Sequence, residues 1–73
     1  MARKATRMTP RSVQARIRQI KETMDDPENA HGMEDSLWED VLQAIADGTV
    51  EDPVALARAA LKSTELDFPH WYA

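Results

Sequence analysis

Cysteine is absent from this chain of 73 residues, which excludes disulfide bonds and thiolate metal sites. There are four aromatic residues and two glycines, and no apolar run approaches the roughly 20 residues of a membrane-spanning helix. The basic start of the chain lacks the apolar stretch of a secretory signal, so we expect a cytoplasmic protein without a membrane partner. A chain this short has room for one domain with a small core.

Acidic residues are missing from the first 21 positions, although the whole chain contains thirteen of them. Seven of the nine lysines and arginines lie in those same 21 positions. The remaining 52 residues carry a formal charge of −11, so the net charge of −4 conceals a positive start and a strongly negative body. Such asymmetry implies that the two regions attract each other, a partner, or both.

Capping signals and apolar periodicity predict an all-α fold, a small three-helix domain with a basic N-terminal arm and an aromatic C-terminal tail. Thr9-Pro10 and Asp52-Pro53 are typical of helix starts, since the first residue can cap the helix and proline fits its first turn. We predict a flexible arm at 1–8 and a single domain at 9–73, with helices at about 10–24, 34–47 and 53–62 and a tail at 63–73.

The second and third helices differ in the fraction of their circumference that is apolar. Asp26-Pro27 predicts a short helical turn that Gly32 stops, after which the second helix runs to Asp47. Its apolar residues, Leu42 among them, cover close to half of its circumference, as expected for the central helix. The third helix is apolar nearly all round, which indicates burial on several sides or a partner, and a homodimer through this helix is one interpretation.

His31, Glu34 and Asp35 form the one cluster that suggests chemistry. Histidine and carboxylate three residues apart can bind a metal or form an acid–base pair. Two ligands do not make a metal site, and a polar pair that caps the second helix explains the cluster more simply. No nucleophile constellation and no glycine-rich phosphate loop is found, so we expect neither enzymatic activity nor a cofactor.

The basic start of the chain suggests nucleic-acid binding as an alternative function, because clustered lysine and arginine neutralise phosphates. On a helical wheel Arg16 and Lys21 flank the apolar stripe, where they would form ion pairs with acids of the second helix. Arg11 and Arg18 lie opposite the stripe and stay available to a partner. The candidate nucleic-acid contacts are therefore Arg3, Lys4, Arg7, Arg11 and Arg18.

A protein partner is the leading hypothesis, with contacts on the acidic face of the second helix and on the C-terminal aromatics. The sequence alone does not identify this protein partner. The candidate contacts are His31, Glu34, Asp35, Glu39, Asp40, Asp47, Trp71 and Tyr72.

Three stretches of the chain, together about residues 25–73, carry a resemblance: DPENAHGMEDSLWEDVLQAIADG, DPVALARAALKS and LDFPHWYA. This pattern resembles a family of small uncharacterised proteins of actinobacteria and especially of their bacteriophages. No activity is assigned to that family, so the resemblance implies an origin in a phage or prophage and a place in the host cytoplasm more than a function. A host factor is one candidate for the protein partner, and self-association is the other. The resemblance leaves the basic start of the chain uncovered.

Overall fold

Three α-helices pack against one another in the computed structural model, which describes residues 8–70. They are α1 (Pro10–Glu22), α2 (Pro27–Ala46) and α3 (Pro53–Leu61), and a 3-10 turn (Lys62–Glu65) follows α3 directly. Each helix contacts the other two, and the turn contacts α1 and α3. No strand occurs between residues 8 and 70, so the predicted all-α class is confirmed.

Each helix begins with a side-chain cap followed by proline, which explains why the chain becomes helical at these points. The Thr9 hydroxyl accepts a hydrogen bond from the Ser12 amide at 3.2 Å, and the Ser12 hydroxyl oxygen accepts one from the Thr9 amide at 3.0 Å. Asp26 and Asp52 cap α2 and α3 by accepting from the amide three residues later. These caps satisfy amides that have no partner within the helix.

The prediction that Gly32 stops a short turn is wrong, because α2 is continuous from Pro27 to Ala46. Glycine inside a helix costs about 1 kcal/mol relative to alanine. The Asp26 cap and the complete burial of Ala30 in the first turns of α2 offset that cost. The second helix therefore begins seven residues before its predicted start, and the His31–Asp35 segment lies within it.

The end of α2 follows the predicted pattern at Gly48. Its φ of 71° lies in the left-handed region that side chains with a Cβ avoid. The Thr49 amide donates to the Ala44 carbonyl at 3.3 Å and the Gly48 amide donates to the Ile45 carbonyl at 3.1 Å. These two bonds close the helix and turn the chain towards α3.

The core draws on all three helices and on both flanking segments. Its buried apolar residues are Met8, Val13, Ile20, Ala30, Leu37, Val41, Ala44, Leu56, Ala59, Ala60 and Phe68. Met8 was assigned to the flexible arm, but it is buried because the chain before α1 folds onto the core. The rest of the predicted arm, residues 1–7, lies outside the described residues.

Three large apolar side chains on the predicted apolar surfaces of α2 and α3 are exposed. Leu42 is 67% exposed, Val54 61% and Leu61 58%. A chain of this size cannot cover α2 and α3 over their whole predicted apolar arcs, because each helix has two helical neighbours and each keeps an outer face.

Candidate functional site

A buried carboxylate at the centre of the molecule is its least expected feature. Glu34 lies on the face of α2 that also carries Ala30, Leu37 and Val41, and its exposure is 1%. The other twelve acids of the chain are all exposed. Because a buried charge is costly unless it is paired and hydrogen-bonded, the partners of Glu34 define the site.

Glu34 is held by two side chains from the C-terminal part of the chain. The Ser63 hydroxyl donates to Glu34 Oε2 at 2.6 Å. His70 Nδ1 lies 2.8 Å from Oε1 and 2.9 Å from Oε2. The indole Nε1 of Trp38 donates to Ser63 Oγ at 3.2 Å, so the serine is both donor and acceptor. We call these four residues the Glu34 network.

The second ring nitrogen of His70 restricts the protonation of the imidazole. His70 Nε2 lies 2.8 Å from the backbone carbonyl oxygen of Leu66. A carbonyl oxygen only accepts, so Nε2 carries a proton. With Glu34 ionised, Nδ1 must also donate, and His70 is then an imidazolium paired with a carboxylate.

Opposing effects act on the pKa of His70. Burial of the imidazole works to lower this pKa, whereas the hydrogen bond to Glu34, the hydrogen bond to Leu66 and the negative charge of Glu34 raise it. The net result is a pKa above the usual histidine value. Phe68 covers one side of the ring, with centroids 4.2 Å apart and planes tilted by 40°.

The order of groups in the network argues against a hydrolytic triad of serine, histidine and carboxylate. In such a triad histidine contacts the serine and removes its proton. Here the carboxylate lies between the other two groups, and the Ser63 hydroxyl already donates to it. Ser63 is also 0% exposed, so a substrate does not reach its oxygen. The network instead joins α2 to the 3-10 turn and to the segment after it.

The predicted pairing of Glu34 with His31 is wrong, since the imidazole bound to Glu34 is that of His70. His31 Nε2 lies 3.7 Å from Asp35 Oδ2, one helical turn away. Cap formation at the start of the second helix is likewise wrong for this cluster, because Asp26 caps α2. Glu34 is also removed from the candidate protein contacts because it is inaccessible.

The other predicted acids of α2 divide between two parts of its surface. Asp35 and Glu39 are exposed on the outer face. Asp40 Oδ2 forms an ion pair with Arg16 Nη1 at 2.7 Å, which confirms the predicted link between α1 and α2. Asp47 Oδ1 accepts from the Gln43 side-chain amide at 2.9 Å.

Only one of the two basic residues of α1 that were predicted to form ion pairs with α2 does so within residues 8–70. Lys21 is exposed and has no ion pair within residues 8–70, in contrast to Arg16. Arg11 and Arg18 are exposed, as predicted. The remaining predicted residues lie outside the described part of the chain; they are Arg3, Lys4, Arg7, Trp71 and Tyr72.

Sequence reasoning missed Ser63, His70 and the polar role of Trp38. A glutamate on an otherwise apolar helical face is the signal that points to a buried polar contact. It does not identify which distant residues provide that contact.

Neither a metal-binding group nor a membrane-spanning helix is found in the described residues. Within residues 8–70, no three His, Cys, Asp or Glu side chains are grouped to hold a metal ion. Of the helices in the same range, none has both the length and the apolar character needed to cross a bilayer. Comparison with models of protein families, with curated proteins and with solved structures finds no significant match.

Proposed function

We propose that this chain is a non-enzymatic protein that acts by binding another protein through the outer face of α2. The carrying observation is the placement of Leu42, which is 67% exposed beside acidic residues. At 100° per residue, Asp35, Glu39 and Leu42 fall within roughly a 60° arc of the helix. We call these three residues the acidic row.

A single exposed leucine is common on monomeric proteins and carries no function by itself. The acidic row differs because its leucine is accompanied by carboxylates on the same arc, and because the described surface is strongly negative. Residues 8–70 contain six lysines and arginines and thirteen acids, which gives this part of the chain a formal charge of −7. Such a surface favours a basic partner and accelerates its approach, while burial of Leu42 adds affinity.

The nature of the partner follows from the resemblance and from this charge. In a phage or prophage protein the partner would be a host protein of the cytoplasm, with a basic surface and an apolar recess for Leu42.

The proposal is tested by affinity capture from an actinobacterial extract with the wild-type chain and three variants. The wild-type protein is expected to retain a partner, whereas a Leu42→Ser variant and an Asp35→Lys/Glu39→Lys variant retain at least about tenfold less. A Glu51→Lys/Glu65→Lys variant has the same change in charge at two exposed acids outside α2, and it should capture like wild type. Equal capture by all four proteins, or by none, would reject the proposal.

A second function, nucleic-acid binding, is favoured by the exposure of Lys21 together with Arg11 and Arg18. Arg11 and Arg18 are seven residues apart and share one face of α1, and Lys21 lies about 60° from Arg18. Three exposed cations on neighbouring positions can contact phosphates alongside the basic residues that precede α1.

This alternative is tested by fluorescence anisotropy with duplex DNA over a range of salt concentrations. Affinity should fall steeply with salt, and an Arg11→Ala/Arg18→Ala/Lys21→Ala variant should lose it. Arg16→Ala is the matched control, because Arg16 is already paired with Asp40. Weak binding that is insensitive to salt would remove this candidate.

A further inference from the structure

The outer face of α3 carries a row of side chains with the same spacing as the acidic row but with the opposite charge. Val54, Arg58 and Leu61 are all exposed, the two apolar side chains at 61% and 58%. They lie at positions i, i+4 and i+7 and within roughly a 60° arc. We call them the basic row; Lys62, also exposed, extends it by one residue.

The acidic row, Asp35, Glu39 and Leu42, has the same i, i+4, i+7 spacing on α2. Both rows are therefore about 10 Å long at 1.5 Å per residue. When the two helices are set side by side and antiparallel, Glu39 comes opposite Arg58 and Leu42 comes opposite Val54. At the other end Asp35 comes opposite Leu61 and its neighbour Lys62. In this register each carboxylate of the acidic row lies near a cation of the basic row or its extension, Lys62. The apolar side chains of both rows are buried between the two helices.

We propose that a second copy of this chain docks on the first, with the acidic row of each copy against the basic row of the other. This inference rests on the proposed function, because it uses the same outer face of α2, and it adds a second occupant of that face, another copy of the chain. The two rows lie on helices that contact each other within one copy. The proposed pair is two-fold, with both rows of each copy turned towards the other copy, which closes the assembly and leaves neither row open to a third copy.

The closed pair also accounts for the two large apolar side chains of α3 that the fold leaves in solvent. Nine residues form α3, and Leu56, Ala59 and Ala60 on its inner face are already buried in the core. Val54 and Leu61 cannot reach that core from the outer face. A second copy covers them without any change in the fold.

The test uses charge reversal at the pair of residues that face each other, followed by mixing. Sedimentation equilibrium of the full chain at low salt should give a mass that rises with concentration towards twice 8.3 kDa. Glu39→Arg places two arginines opposite each other, and Arg58→Glu places two glutamates opposite each other. Each variant alone should associate at least about tenfold more weakly, because the reversed contact occurs twice in a two-fold pair.

Mixing the two variants should restore association to the wild-type level. In a mixed pair the arginine introduced at position 39 of one variant faces the glutamate introduced at position 58 of the other, and the second contact keeps the native Glu39 and Arg58. The single-chain double variant Glu39→Arg/Arg58→Glu should be restored in the same way. Glu65→Lys controls for net charge, since it alters an exposed acid outside both rows and should leave association unchanged. Circular dichroism verifies that each variant is folded.

A monomer at every concentration overturns this inference, as does association that the mixture fails to restore. Val54→Ser separates this outcome from a failure of the proposed function. It removes an apolar side chain from the basic row and leaves the acidic row intact, so it should weaken self-association while capture of a different protein persists. Loss of that capture in Val54→Ser would instead show that the partner binds the pair.

Discussion

Glu34 on α2 and His70 in the C-terminal segment are in direct contact, with 2.8 Å between His70 Nδ1 and Glu34 Oε1. They are 36 residues apart in the chain. The Ser63 hydroxyl also donates a hydrogen bond to the carboxylate, at 2.6 Å. Every buried side-chain nitrogen and oxygen within residues 8–70 has a hydrogen-bond partner. The buried polar groups of this small domain are therefore fully hydrogen-bonded, and removal of any member of the Glu34 network should lower the free energy of unfolding.

Replacement of Glu34 by alanine should destabilise the fold by about 3 kcal/mol, because it opens a cavity and leaves Ser63 and His70 without their shared acceptor. Replacement by glutamine should cost about 1 kcal/mol or less, since the amide oxygen can accept from Ser63 and the amide nitrogen can donate to Nδ1 of a neutral His70. Urea denaturation at pH 7 measures both values, and equal losses in the two variants would contradict the hydrogen-bond assignment.

The pH dependence of stability should carry the signature of His70. Its pKa in the folded protein is raised above the usual value of 6.5, so protonation favours the folded state. The resulting stability is fully present below about pH 6.5 and is lost as the pH rises through the folded-state pKa. The free energy of unfolding, measured between about pH 6 and pH 9, should decline over that interval.

Glu34→Gln is the control for this pH dependence. With glutamine at position 34 the neutral imidazole is the better partner, so the pKa of His70 should fall below its usual value and the decline on the alkaline side should vanish. Nuclear magnetic resonance of the His70 ring protons reports the pKa directly. A decline that is the same in both proteins would assign it to another group.

Ser63→Ala should cost about 1 to 3 kcal/mol, because it removes one bond from the buried carboxylate and leaves the Trp38 indole without its acceptor. Ser36→Ala is the matched control on the exposed side of α2 and should change stability by less than about 0.5 kcal/mol. Thermal unfolding followed by circular dichroism distinguishes the two. Similar melting temperatures for both variants would remove Ser63 from the network.

The two glycines should respond in opposite directions to alanine. A Cβ at Gly32 meets no atom within 4 Å, so Gly32→Ala should stabilise the helix by about 0.5 to 1 kcal/mol. Gly48 has a φ of 71°, so Gly48→Ala should destabilise by about 1 kcal/mol although its surroundings are equally open. Urea denaturation of the pair tests this, and a stabilising Gly48→Ala would contradict the left-handed turn.

Local signals in the sequence predicted the helices better than they predicted the site. The Thr9 and Asp52 caps depend on neighbours within a few residues, and the structure has them as predicted. Gly32 misled because its local cost is outweighed by the cap at Asp26 and by tertiary packing of Ala30. Local propensity cannot register such contributions.

The partners of Glu34 could not be predicted from spacing, because spacing favours contacts within one helical turn. His31 is the nearest histidine along the chain, yet His70 reaches the carboxylate after the chain turns back beyond α3. The path of that segment depends on the burial of Phe68 and on the bond from His70 to Leu66. Neither contact has a local sequence pattern.

The ion pair that links α1 to α2 could be predicted from the sequence. The helical wheel places Arg16 beside the apolar stripe of α1, so its charge has to lie near the neighbouring helix. The ion pair with Asp40 confirms that reasoning. Lys21 flanks the same stripe, but it lies near the end of α1 and stays exposed without such a pair among residues 8–70.

The long separation between Glu34 and His70 along the chain also has a consequence for the order of folding. The contact between His70 and Glu34 closes a loop of 36 residues, whereas the bonds within α1 and α2 close loops of a few residues. Local contacts form first because their loop-closure cost is lower, so we expect docking of the C-terminal segment to be a late step of folding.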